Sequence, residues 1–287
     1  MKTSSRIGWT AWALVPVGLI AFHFGPGQGL AARDQAVRLH TRAIDFETTA
    51  TDLQAVAYAA HLEVIELRRA SFLENGPDVS TELGEALERE ELSYSDAAEA
   101  WQITADAFTT VEDAILLEDG ADASSIRWAK ARAQVRAGDI WGGAGEFELL
   151  LDELEDESDL ALATREELAR AHYFGARLLR VNGEPAEDWR AEATKARQHF
   201  RYLAEQAADR GAASDVVRGL EDNVERVLDL EQLDLSEIQG TPFPKESPKS
   251  SSCKKPGNKP GSRISQRPPN KRDGRGASGA GEIGKGW

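Results

Sequence analysis

The chain has 287 residues, with 34 Lys/Arg against 49 Asp/Glu, a formal net charge of −15 and a single cysteine. That acidity disfavours nucleic-acid binding, because phosphate contacts need clustered cations, and the lone Cys253 excludes an internal disulfide framework. The charge is unevenly spread: residues 245–287 carry eleven Lys/Arg and three Asp/Glu, a net of +8, whereas the preceding 244 residues carry a net of −23.

Lys2 and Arg6 precede a run from Ile7 to Phe24 without one charged side chain. Eighteen residues rising about 1.5 Å each give a helix of about 27 Å, close to the thickness of a bilayer's hydrocarbon core. Pro16 falls inside the run, and membrane helices tolerate proline better than soluble ones. The run predicts a single transmembrane helix. Its near side carries Lys2, Arg6 and the amino terminus, and its far side opens on the neutral stretch from Gly25 to Ala32. The positive-inside rule therefore places the N-terminus in the cytoplasm and the rest of the chain on the extracytoplasmic (periplasmic) side. Leu30-Ala31-Ala32 leaves a cleaved signal peptide open as the alternative. Residues 1–32 read as a membrane anchor and a Gly/Pro linker.

Residues 33–238 read as helical throughout. Phe46, Leu53, Ala57, Ala60, Val64 and Leu67 make one apolar stripe, and Tyr94, Trp101, Phe108 and Ile115 recur every seven residues. Trp189, Ala193, Ala196, Phe200, Leu203 and Ala207 step by three and four, as do Val217, Leu220, Val224 and Val227. Each stripe belongs to a one-faced helix that must bury it against a neighbour. Breaks are expected at Asn75-Gly76-Pro77, Asp119-Gly120, Gly138-Asp139 and Asn182-Gly183, because glycine suits the residue just past a helix C-terminus. The expected fold class is all-α, with about six antiparallel helices, given connections this short.

Two of the junctions repeat. Ala131 precedes Gly138 by seven residues, with Phe147 nine beyond it, and Ala176 likewise precedes Gly183 by seven. This pattern resembles the tetratricopeptide repeat (TPR), a helix–turn–helix unit of about 34 residues that stacks into a solenoid. The resemblance covers residues 93–210 at most, with residues 34–75 as a flanking helix. It departs from the family in three ways: the two glycines stand 45 positions apart, Glu184 to Asp188 lengthen the second turn, and the terminal proline is missing from both copies. A plain helical bundle remains the other reading.

On the first helix of each unit, Trp128, Arg132 and Arg136 share one face, and Tyr173, Arg177 and Arg180 follow about 45 residues later. In the tetratricopeptide family such positions line the concave groove that grips an extended peptide. The resemblance thus implies a partner-binding groove of aromatic platforms beside guanidinium forks, which pair carboxylates bidentately. The alternative is that the arginines answer neighbouring Asp/Glu while Trp128 and Tyr173 are core.

No arrangement points to catalysis or to a metal. None of His23, His40, His61, His172 and His199 lies three or four residues from another, and there is no HExxH motif. Gly279 to Lys285 imitates a phosphate loop, but Gly286 stands where Ser/Thr belongs and no strand precedes it. No catalytic residue and no cofactor are expected.

Residues 239–287, rich in Pro, Gly, Ser and Lys, bury too little apolar surface to offset their ordering entropy and are expected to be disordered. Their charge suits anionic lipid, an envelope polymer or the acidic domain, or serves only for solubility. In architecture the chain resembles bacterial membrane-anchored tetratricopeptide proteins that accompany other membrane complexes. That likeness implies a non-enzymatic protein–protein interaction scaffold with protein partners in the membrane or envelope. The alternatives are an accessory subunit of an envelope enzyme and a structural envelope protein acting through its tail.

Overall fold

The computed structural model describes residue 16 and residues 26–71, 79–116, 122–155, 158–238 and 243–244. The helices are α1 (Pro26–Ser71), α2 (Ser80–Leu116), α3 (Ser124–Ala137), α4 (Ile140–Glu153), α5 (Asp159–Val181), α6 (Ala186–Asp209), α7 (Ser214–Gln232) and the single turn α8 (Leu235–Ile238). No strand occurs among the described residues, so the fold is all-α. The apolar run of residues 7–24, Pro16 apart, and the basic tail of residues 245–287 lie outside the described residues, as do the expected breaks at Asn75–Pro77 and Asp119–Gly120. None of the described helices is long and apolar enough to cross a membrane.

α1 and α2 form a long antiparallel hairpin. His40 meets Phe108, Gln54 accepts from Trp101 and His61 bonds Glu90, so positions fall along one helix as they rise along the other. The seam on α1 is Ala43, Ala50, Ala57 and Val64, one small residue per heptad, all essentially inaccessible. Small side chains let the two backbones approach while Trp101, Phe108 and Val111 of α2 fill the space between them. This corrects the expected stripe: Phe46, Leu53, Ala60 and Leu67 are only partly buried, and of that set Ala57 and Val64 alone lie in the seam. Residues 26–32 belong to α1 and are helical rather than a linker.

Beyond the hairpin, each helix packs on its chain neighbour, and α3 additionally meets α5. The connections use one device. Gly138, Gly183 and Gly211 have φ of 105°, 76° and 66°. In each case the glycine N–H and the next N–H reach back to carbonyls of the last helical turn, for example Gly138 to Val135 and Asp139 to Gln134. These are left-handed glycine stops, which a side chain would strain. Asp139 then accepts from the Gly142 N–H and so caps α4 in the same two-residue turn. The second turn is longer by two residues, Asn182 to Pro185; of the expected insertion only Glu184 and Pro185 lie in it, whereas Ala186–Asp188 are helical and Glu187 and Asp188 complement the positive end of the α6 dipole. The wide glycine spacing comes mainly from α5, which has 23 residues against the 14 of α3.

α3 and α4 approach unusually closely. A Cβ on Gly143 would stand 2.6 Å from the Ala131 carbonyl oxygen and 2.5 Å from a Val135 methyl, so only glycine fits. The main core runs from Ala43 of α1 to Ile238 of α8 and includes Phe108, Phe147, Leu168, Tyr173, Phe200 and Leu230. On α7, Leu220 and Val227 enter it, whereas Val217 and Val224 are half-buried.

Candidate functional site

The six residues singled out on α3 and α5 divide by depth. Trp128 and Tyr173 are 3% and 0% exposed and belong to the core, not to a surface platform. Arg132 is also buried. Its Nη1 lies 2.7 Å from Glu47 of α1 and its Nε 3.2 Å from Glu167 of α5, with the guanidinium 5.5 Å over Trp128. The Arg136 side chain, almost wholly enclosed, faces Glu167 at 3.9 Å and Trp101 at 4.9 Å. Arg170, which the spacing did not suggest, pairs with Glu166 and lies 2.8 Å from Glu167.

Three guanidiniums and three carboxylates thus form a charge-balanced cluster joining α1, α3 and α5. Burial alone would raise the Glu167 pKa. The fields of Arg170, Arg136 and Arg132 outweigh it and hold the carboxyl at about 2. Burial, with Arg132 and Arg170 close by, pushes Arg136 down to about 9. A buried charge set of this kind is costly to form and more costly to break. Its chemistry is structural, because Arg132 and Glu167 face inward.

Arg180 has a different task. It donates to the Leu230 carbonyl and, at 2.5 Å, to that of Leu233, closing the end of α7, and it stacks 4.7 Å over Trp189. Burial beside Arg190 lowers its pKa.

Of the six, Arg136 and Arg177 line a cleft. It measures about 310 Å³ and lies between the end of α3, the start of α4 and the C-terminal half of α5. Its walls are otherwise largely apolar: Val135, Ile140, Phe174, Leu178 and Val181. Phe243, from beyond the last helix, completes it. The ring lies 4.8 Å beneath the Arg177 guanidinium and 5.8 Å from both Phe174 and His61, and Pro244 beside it is buried. The packed domain therefore extends past residue 238 to these two residues. Half-burial of a phenylalanine contributes about 1–1.5 kcal/mol, and an exposed cation–π contact about 0.5–1 kcal/mol. The contact is thus worth about 2 kcal/mol in total, enough to order the pair and too little to lock it.

Sequence reasoning missed Phe174, Leu178, Val181 and Phe243. A usable signal was present for the last: an aromatic residue between Pro242 and Pro244, in a segment otherwise nearly free of apolar side chains.

A second polar cluster also escaped the histidine spacing, because α5 and α6 assemble it. The rings of His172 and His199 stack in parallel at 5.8 Å, and His172 Nδ1 bonds Glu192 at 2.7 Å. Burial, reinforced by His172, Arg165 and Lys195, pushes His199 down to about 4. Among the described residues no group of three or more His, Cys, Asp or Glu side chains is placed to hold a metal ion. No family model, no curated protein and no solved structure matches this chain.

Proposed function

We propose that the chain is a non-enzymatic, membrane-anchored scaffold whose helical domain lies outside the cytoplasm and binds a protein partner. In this reading the pairs α3/α4 and α5/α6 stack as a tetratricopeptide-like solenoid. The serial packing of neighbouring helices, the α3–α5 contact and the shared glycine turns support it. Residues 7–24 anchor the domain beside a membrane neighbour, as their length and the flanking Lys2 and Arg6 suggest.

The observation that carries the reading is the cleft between α3 and α5. It is mostly apolar, lined by Arg136 and Arg177, and bounded on one side by an aromatic residue from a chain segment outside the helices. A concave apolar site with a few placed polar groups is the usual form of a recognition surface, and α3 and α5 are the first helices of successive pairs.

The test places a photoreactive residue at Leu178, which is 44% exposed on the cleft wall, in the full chain in intact membranes. The same probe at Leu92 of α2, 67% exposed and away from the cleft, is the control. One discrete protein adduct from Leu178 and none from Leu92 is expected. The same adducts from both positions, or none from Leu178, would refute the assignment. An enzymatic reporter fused after Leu235 should work only in its exported form; activity of a cytoplasm-only reporter there would reverse the topology.

A further inference from the structure

Phe243 and Pro244 are the only described residues beyond α8, and both pack against the domain. Phe243 spans two elements: His61 of α1 on one side, Phe174 and Arg177 of α5 on the other. We propose that the seat of Phe243 at the edge of the α3–α5 cleft, between His61 of α1 and Phe174 and Arg177 of α5, is a docking site for an extended peptide segment carrying an aromatic–proline pair, and that Phe243–Pro244 occupies this seat in cis until such a segment displaces it. This deepens the scaffold reading above and rests on it for the identity of the site.

The chemistry of the occupant follows from the walls. An apolar wall of Phe174, Leu178 and Val181 offers no acceptor for a backbone N–H, and proline brings none. Proline also confines the residue before it to extended backbone, so the aromatic side chain is presented with little entropy left to lose. The guanidinium of Arg177 over the ring selects an aromatic face over an aliphatic one of similar volume.

The cis contact is also poised for exchange. Four residues separate Ile238 from Phe243, so the tether keeps the ring at an effective concentration of about millimolar or higher. The modest contact derived above favours the seated state by roughly thirtyfold, and a competing segment meets a site open only a few per cent of the time. Removing the cis side chain removes that penalty.

The experiment titrates a fluorescein-labelled peptide, Gly-Thr-Pro-Phe-Pro-Lys-Glu-Ser-Pro (the sequence of residues 240–248), into the purified full-length chain in mild detergent, read by anisotropy. Phe243→Ala should bind the peptide at least about tenfold more tightly than the wild type. A peptide with its Phe replaced by Ala should bind neither. Phe243→Leu, which keeps apolar volume but gives up the ring beneath Arg177, should show a smaller gain in the same direction.

Equal binding by wild type and Phe243→Ala, or no binding by either variant at millimolar peptide, would overturn the proposal. So would loss of helicity in both variants, because a segment on which folding depends is not a displaceable occupant. A membrane adduct at Leu178 without peptide binding would discard the aromatic–proline segment and leave the scaffold reading standing.

Discussion

Glu167→Gln is the sharpest test of how the domain is held together. Glu167 is 3% exposed and faces Arg170 at 2.8 Å, Arg132 at 3.2 Å and Arg136 at 3.9 Å. The substitution keeps shape and volume but removes one of the three carboxylates that balance three enclosed guanidiniums. Breaking a buried ion pair by neutralising one partner costs about 3–5 kcal/mol, because the surviving charge stays desolvated. Each kcal/mol lowers the melting temperature of a domain of this size by about 2–4 °C, so a fall of roughly 6–20 °C is expected. Thermal melts followed by circular dichroism at 222 nm and pH 7 would measure it. Glu205→Gln is the matched control: its pair with Arg201 at 3.1 Å is exposed on both sides and should contribute less than about 1 kcal/mol. If Glu167→Gln melts within a degree or two of the control, the cluster is not buried as described and the α1–α3–α5 junction is wrong.

Three further outcomes are expected. Gly143→Ala should destabilise by about 1–3 kcal/mol, since its Cβ would collide with the Ala131 carbonyl, whereas Gly84→Ala, with nothing within 4 Å, should stabilise by about 0.5–1 kcal/mol; equal effects in denaturant melts would deny the close α3–α4 approach. Trp101→Ala and Phe200→Ala, at positions 1% and 0% exposed, should each cost about 3–5 kcal/mol in the same assay, and a change under about 0.5 kcal/mol would place those rings outside the core. His199 is held near 4 in the fold against an ordinary value of 6.5, so between those values the unfolded chain binds the extra proton. Its contribution is complete above pH 6.5 and is lost as pH falls toward 4, by at most about 2 kcal/mol at pH 5. His199→Gln should flatten that part of the decline between pH 7 and pH 5, and an unchanged slope would contradict the burial of the ring.

What the sequence revealed follows the range of each interaction. The Trp101–Phe108 heptad and the Trp189–Phe200 stripe are local periodicities of large apolar residues, and both are core. Gly138 and Gly183 were legible because a left-handed stop needs glycine, while Gly211, doing the same work between Arg210 and Ala212, was not distinguished from an ordinary glycine. The α1 seam was hidden because close helix contact selects alanine, the apolar residue that stands out least. At the site, the regular Trp/Arg spacing on α3 was visible, but the residues that decide its meaning were not. Glu47 and Glu167 lie 85 and 35 positions from Arg132. No local pattern signals that they will meet it, so a face that reads as a basic groove is mostly an internal charge cluster. Of the six, only Arg136 and Arg177 line the open cleft, and the ring that bounds it on one side comes from outside the helices.

The most direct measurement replaces Phe243 by a photoreactive phenylalanine in the full-length chain and maps the intrachain adducts by mass spectrometry. The account predicts adducts confined to peptides containing His61 of α1 and Phe174 or Arg177 of α5, the groups within 6 Å of the ring. Adducts on α6 or α7, or spread without preference along the domain, would show that the cleft does not hold this segment.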